Sequence, residues 1–267
     1  INITGLSIGI STCLVIFLLV HHELSFDKHI PNRENIYRIY TEFNGTFTGT
    51  NRGVAIGVHQ FFQENFIQHG LVAETHTYGT QVKLRPGKQT EKFKLENGIA
   101  FVDSNFFQLF PKKWLAGNIT DLNNPYKAIL TEKSAQLLFG LLSPEQYLNK
   151  EFVIKDSVLF SVAGIVANEQ QNSDFDFACY LSAPSMAQKE FKENYTRDDW
   201  QSTNSGEVLM IKLHQNKNLS DLQKVIEAAN KRYNEVNTDK GWKVSYKEQP
   251  LSDIHFNGDL GIFDHIN

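Results

Sequence analysis

The chain has 267 residues, 41% of them hydrophobic and 21% charged, which excludes a disordered polymer. Lys plus Arg number 26 and Asp plus Glu 30, so the net charge is −4 and the basic surplus of a nucleic-acid binder is missing. Two cysteines cannot build a disulfide framework, and 17 Gly with 7 Pro exclude collagen-like or low-complexity chains.

The charges are unevenly spread: residues 1–22 contain no Asp, Glu, Lys or Arg. In residues 1–20, 15 of 20 are apolar or Gly, the exceptions being Asn2, Thr4, Ser7, Ser11 and Thr12. About 20 mostly apolar residues suffice to cross a hydrocarbon core of roughly 30 Å, so residues 1–22 are expected to form a transmembrane helix. Gly5, Gly9 and Cys13 recur every fourth residue on one face, where small side chains let another helix come close. A secretory signal would need a basic start and a small-residue cleavage site, and neither is visible. The chain starts at Ile1 rather than Met, so a fragment lacking its N-terminal flank is expected.

A polar connector broken by Pro31 follows. Tyr37, Ile39, Thr41 and Phe43 alternate with Arg38, Tyr40 and Glu42, which predicts a strand with one buried face and Arg38 on the polar one. Residues 44–53 read as a Gly/Thr/Asn loop. Val54, Val58, Phe61, Phe62 and Phe66 have helical spacing, and Gly70 stops that helix. A strand is expected within 72–84, a turn at Pro86-Gly87, a second turn at Asn97-Gly98 and a strand over 99–102. The stretch 103–118 holds a short aromatic helix ending at Pro111. Residues 127–131 predict a strand, Thr131 a cap for a helix over 132–139, and Gly140 its stop. Residues 152–155 and 158–166 flank Asp156-Ser157 as a hairpin, and 175–181 predict another strand. In the last third, 207–214 read as a strand and Ser220 to Gln223 as a capping box. Leu222, Val225, Ile226, Ala229 and Tyr233 share one helix face, and Trp242, Val244 and Tyr246 alternate along a closing strand.

These elements make a strand–helix–strand unit at each end of the polar region, with a strand-rich insert between them. Neither unit has enough apolar surface alone, so strands 36–43 and 242–248 are expected in one sheet. The expected fold is α+β: an N-terminal transmembrane helix, then a ferredoxin-like subdomain split by a smaller α/β insert. The boundaries are 1–22 for the helix, 23–103 for the first half, 104–173 for the insert, 174–256 for the second half and 257–267 for a connector.

Motifs that carry chemistry are absent. The pattern GxSxG occurs at Gly5-Leu6-Ser7-Ile8-Gly9, inside the apolar run and not at the strand-to-helix turn an elbow needs, and there is no GxxxxGK[ST] phosphate loop, no HExxH and no CxxC. The nine His are scattered. His21-His22-Glu23 is a cluster whose neighbours point apart on a helix, and it reads as a polar collar at the membrane surface. Asp174 and Asp176 would share a strand face beside Phe175, Phe177 and Tyr180, which makes an amphipathic strand rather than a metal pair. Cys13 and Cys179 lie too far apart in kind to pair, and neither has an adjacent activating base. No residue is therefore designated catalytic, cofactor-binding or metal-ligating, no cofactor is expected, and the chain is not expected to be an enzyme.

One resemblance covers nearly the whole chain. INITGLSIGISTCLVIFLLVHHELSFDKH followed by ENIYRIYTEF resembles the first membrane helix and its exit in MacB/FtsX-like ABC transporter permeases of the Bacteroidetes type. FVDSNFFQLFPKKWLAGN, AILTEKSAQLLFG and QPLSDIHF resemble the same family's extracytoplasmic domain, in family order. The resemblance implies a porter part interrupted by an insert, located in the periplasm beside the bacterial inner membrane. It implies a separate cytoplasmic ABC ATPase as partner, together with other membrane helices of the permease in a dimeric assembly and a periplasmic adaptor. It also implies mechanical coupling of ATP hydrolysis to export or release of a substrate. A membrane-anchored extracytoplasmic sensor of a receptor is the alternative, and would lack the ordered motif set.

Overall fold

The computed structural model describes residues 3–84, 92–154, 157–191, 199–238 and 241–260. The expected turn at Pro86-Gly87, residue Asp156 of the hairpin turn and residues 261–267 of the connector lie outside them.

Helix α1 (Ile3–Glu23) buries none of its residues. Its 21 residues rise about 32 Å, which matches a bilayer core. It is the one helix among the described residues long and apolar enough to cross a membrane. Because α1 contributes nothing to the core, a chain lacking residues 1–22 is expected to remain folded and to need no detergent. Size-exclusion chromatography and circular dichroism check this, and unfolding of the shortened chain would make α1 a core helix. The shortening removes the hydrogen bonds between His22 and Asn172, at an expected cost below about 1 kcal/mol.

The rest is built on strands β1 (Ile36–Gly45), β2 (Gly49–Asn51), β3 (Gly70–Leu84), β4 (Lys92–Val102), β5 (Trp114–Gly117), β6 (Lys127–Thr131), β7 (Glu151–Ile154), β8 (Val158–Val166), β9 (Cys179–Ser182), β10 (Glu207–Leu213) and β11 (Trp242–Pro250). Among the described residues they join in one sheet, ordered β11-β1-β10-β3-β4-β9-β6-β8-β5, with β2 on β1 and β7 on β3 and β8. Helices α2 (Ile56–Asn65), α3 (Phe106–Leu109), α4 (Glu132–Phe139), α5 (Leu219–Val236) and α6 (Leu251–Ile254) pack against it.

The two ends of the polar region do meet. β1 pairs antiparallel with β11 from Tyr37↔Pro250 to Gly45↔Trp242. β10 takes the other edge of β1, and β3 follows it, both antiparallel. One face of this group packs Ile39, Val72, Leu209, Ile211, Val244 and Tyr246 against Val58 and Phe62 of α2 and Leu222, Val225, Ile226 and Ala229 of α5. The opposite face packs Ile36, Ala73, Val208 and Met210 against Phe106 of α3 and Leu251 and Ile254 of α6. β10 is thus covered on both sides, which is why EVLMIKL is an almost unbroken buried run rather than an alternating one. A third cluster sits under β6, β7, β8 and α4.

Several local expectations change. Strand β2 forms inside the expected 44–53 loop, and α2 ends at Asn65, well before Gly70, which opens β3. Arg38 is completely buried, because α6 and the chain up to Leu260 cover the second face of β1. Asn97-Gly98 does not reverse the chain. With φ of 60° and 71° it makes an irregularity within β4, opposite the register shifts at Gly79 of β3. The cap of α5 is Asn218, paired reciprocally with Asp221, so the helix starts before the expected Ser220 box. An amide oxygen at Asn218 serves the same free N–H groups as a hydroxyl would. The strand expected over 175–181 begins only at Cys179, leaving Asp174 and Asp176 in the preceding loop. The Thr131 cap of α4 and its Gly140 stop, at φ 79°, are as expected.

Candidate functional site

The chain leaves α1 at Glu23 and does not swing free. Ser25 Oγ donates to the His22 carbonyl oxygen at 2.6 Å, closing the last turn. Asp27 then takes a left-handed conformation, φ 53°, which short polar side chains tolerate, and turns the chain against the loop that precedes β9. The Asp27 amide donates to the Asn172 carbonyl at 2.9 Å, and Ser173 Oγ donates to Asp27 Oδ1 at 2.6 Å. Asn172 Nδ2 donates back to Ser25 Oγ at 2.7 Å and lies 3.0 Å from His22 Nδ1. The helix exit is therefore stitched to residues about 150 positions away, as the Asn172–His22 separation shows.

The other wall comes from the C-terminal side. β11 runs antiparallel to β1, so its end arrives beside the start of β1, close to the exit of α1. α6 follows at once and presents His255. Its imidazole stacks on Phe26, with centroids 3.6 Å apart and planes at 12°. Nε2 lies 3.0 Å from Glu23 Oε2, and Nδ1 lies 3.1 Å from both oxygens of Asp174. Behind it, Gln249 Nε2 donates to Asp253 Oδ2 at 2.8 Å and Gln249 Oε1 accepts from Arg38 Nη2 at 2.5 Å. Arg38 Nη2 also donates to the Leu260 carbonyl at 3.0 Å.

Burial tunes the charges here. It raises Asp27 to about 6, with the nearby Asp174 adding to the rise and Ser173 opposing it. Burial works against the His255 imidazolium, but Glu23 and Asp174 outweigh it and hold the ring above its ordinary value. Burial lowers Arg38 to about 10, helped by Arg52, which leaves it charged at neutral pH. The His255 imidazolium thus stands between carboxylates on two separate segments, Glu23 at the end of α1 and Asp174 before β9.

The residues singled out by sequence behave differently from one another. His22 and Glu23, read as a polar collar, face the domain and hold it, whereas Asp174 and Asp176 part company. Asp174 joins His255, and Asp176 binds Lys112 at 3.0 Å. Cys13 is exposed on α1 while Cys179 is buried in β9, where burial pushes its thiol well up and makes it unreactive. The sequence reading missed His255, Arg38 and the role of Ser173. The available signal was that two motifs, ELSFDKH and QPLSDIHF, stand far apart and each carry polar residues with no local partner. A separate groove of about 640 Å³ runs between β4 and α4, lined by Lys94, Glu96, Thr131, Lys133 and Asn168. Its charges are mixed and it brings no nucleophile beside a base.

Comparison with known proteins agrees with this architecture. Residues 1–229 match the family described as the MacB-like periplasmic core domain. No curated protein matches the chain. Among solved structures, a domain described as that of a permease protein from Porphyromonas gingivalis superposes with a TM-score of 0.66 at 17% identity, covering 84% of this chain and 92% of that one. The periplasmic region of MacB from Actinobacillus actinomycetemcomitans gives a TM-score of 0.52 at 14% identity, covering 84% and 91%. At those identities the structures speak for the fold, and the family match speaks for membership. With its apolar leader and a match over residues 1–229, this chain belongs to the MacB-like periplasmic core domain family and is the periplasmic domain of an ABC-type transporter permease.

Proposed function

We propose that this domain is the lever of its permease. A separate cytoplasmic ATPase hydrolyses ATP, the membrane helices shift, and the junction at Glu23, Asp174 and His255 passes that shift to the periplasmic sheet, which exports or releases cargo. The observation that carries this reading is the Glu23–His255 contact, made between residues 232 positions apart. It ties the exit of the first membrane helix to the segment that follows the closing strand. A helix that moves must carry β1 and β11 with it, because they are neighbours in one sheet.

The same reading divides the domain. Residues 23–103 and 174–256 form a porter subdomain, supported by the antiparallel order β11-β1-β10-β3 with α2 and α5 on one face. That order is the one a ferredoxin-like unit would have. Residues 104–173 form the insert, supported by β6, β8 and β5 lying beyond β9 at the far end of the sheet. The permease sits in the inner membrane as a dimer, and its remaining membrane helices pack on α1. A groove of about 470 Å³ supports this: Gly5, Gly9 and Cys13 line it beside Leu6, Ile10 and Leu14, and a Cβ on Gly9 would meet nothing within 4 Å. A periplasmic adaptor completes the path of the cargo. The domain itself neither binds nor hydrolyses nucleotide.

The test uses the intact permease with its ATPase in proteoliposomes. Spin labels on the exposed ends of α1 and β11 are expected to report ATP-driven movement of the domain. His255→Ala is expected to leave ATP hydrolysis within about twofold while the movement falls severalfold. A wild-type domain that stays still through ATP turnover would remove the basis for the lever.

A further inference from the structure

The helix-side face of the sheet holds a second polar cluster, far less expected than the first. In β3, Glu74 and His76 are two residues apart and so share one face, the face that Val72 presents to α2. Glu207 of β10 stands directly opposite His76 in register. His59 comes down from α2, with its ring centroid 5.2 Å from that of His76. All four are buried, with His59 at 1% exposure and His76 at 2%.

The donor atoms of His59, His76 and Glu207 lie within 4.8 Å of one another. His76 Nδ1 contacts the Glu207 carboxylate, and Glu74 Oε2 lies 3.6 Å from His76 Nε2. Gln63 Nε2 donates to Glu74 Oε1 at 2.7 Å and fixes that carboxylate. The telling residue is His59: neither ring nitrogen has a hydrogen-bond partner at normal geometry. With only the Glu207 backbone near enough for a poorly formed bond, this buried imidazole is under-satisfied, which is costly and rare in natural cores. Here it points at a histidine and a carboxylate.

We propose that His59, His76 and Glu207 bind one Zn²⁺ ion. Two imidazoles and one carboxylate are a donor set that suits zinc, a borderline ion that accepts N and O ligands, and one water would complete its tetrahedral geometry. Glu74 supplies the outer carboxylate that orients a ligating imidazole, and Gln63 orients Glu74. The charges also match: the two carboxylates sum to −2, which a dication offsets in a place that water barely reaches. The ion would pin α2 onto β3 and β10. It would act as a staple in the helix-bearing part of the domain rather than as a catalyst.

The experiment uses the whole chain, purified in detergent without a histidine tag and stripped with chelator. Addition of Zn²⁺ is expected to load one ion per chain and raise the Tm by roughly 5 °C at a hundredfold excess over Kd. Co²⁺ is expected to give the visible absorption of a tetrahedral site, and X-ray absorption to show two imidazoles and a carboxylate oxygen. His59→Gln and Glu207→Gln should each weaken binding at least tenfold. Circular dichroism of the stripped variants separates lost binding from lost folding. Should the stripped wild type take up no Zn²⁺ at micromolar concentration, the cluster is only a buried ion pair beside an uncomplemented His59, and the proposal fails. It fails equally if loading survives His59→Gln but vanishes when His21 and His22 are both changed to Ala, which would place an adventitious ion at the end of α1.

Discussion

His255→Ala is expected to destabilise the chain by about 3 kcal/mol, because it leaves Asp174, 2% exposed, as a buried carboxylate without its imidazolium. For a domain of this size that is a Tm loss of roughly 6–12 °C. His255→Phe should keep the stack on Phe26 and recover little, since the charge and not the ring area is what Asp174 needs. Glu23→Ala should cost less than about 1 kcal/mol, because Glu23 is 55% exposed and water already screens its half of the bridge. Thermal melts of the three variants decide between these terms. Equal, small losses for His255→Ala and Glu23→Ala would make the junction an ordinary surface contact.

The pH dependence follows with a definite sign. His255 is held above its ordinary 6.5, so the folded state binds its proton more tightly. The stability this gives is complete below about 6.5 and is lost as the pH rises through the folded value. Asp27 is raised from 3.8 to about 6, so it too favours the folded state most when protonated, and that contribution fades between those two values. Wild type should therefore lose Tm relative to His255→Ala as the pH rises from 6 towards 9, with the difference narrowing as His255 gives up its charge. A difference that widened over that range would refute the assignment of charge to His255.

Phe106→Ala is expected to cost about 3–5 kcal/mol, enough to lower the Tm by roughly 10 °C or more. Phe106 is fully buried, and its ring lies 5.0 Å from Phe110, 5.5 Å from Phe107 and 5.6 Å from Tyr180. It sits where α3 meets β3, β4 and β9, so no single segment can collapse into the space. Phe106→Leu should cost less than half as much, since most of the volume stays filled. Denaturant melts read both. A loss below about 1 kcal/mol for the alanine would show that the aromatic cluster repacks freely, and that the FFQLF stretch is not what binds the two halves of the domain.

Much of this protein was legible in its residues alone. The leader was clear because charge is absent for 22 residues and a bilayer imposes its own length. The α5 face and the β11 alternation were clear because periods of 3.6 and 2 survive wherever an element buries one side only. The Thr131 cap and the Gly140 stop are local chemistry, decided within a few residues. That β1 and β11 share a sheet could be argued from two half-cores that need each other.

What failed in the reading was whatever depends on contact at long range. Arg38 lies in an alternating pattern that says solvent, and only the arrival of α6 and Leu260 on its face buries it. Asn97-Gly98 is a turn signal in any window, yet pairing with β3 on one side and β9 on the other keeps β4 straight enough to absorb it as an irregularity. Asp174 and His255 stand 81 positions apart, and His76 and Glu207 stand 131 apart. No spacing rule connects such pairs. Sequence patterning records which face of an element is apolar, because that is set by local geometry. Which polar residues come together is set by strand order and register, and a one-residue slip would send His76 or Glu207 to the opposite face of the sheet. The leader, the helices and most strands belong to the sequence. The junction beneath α1 and the histidine cluster under α2 exist only because the sheet closed in this order.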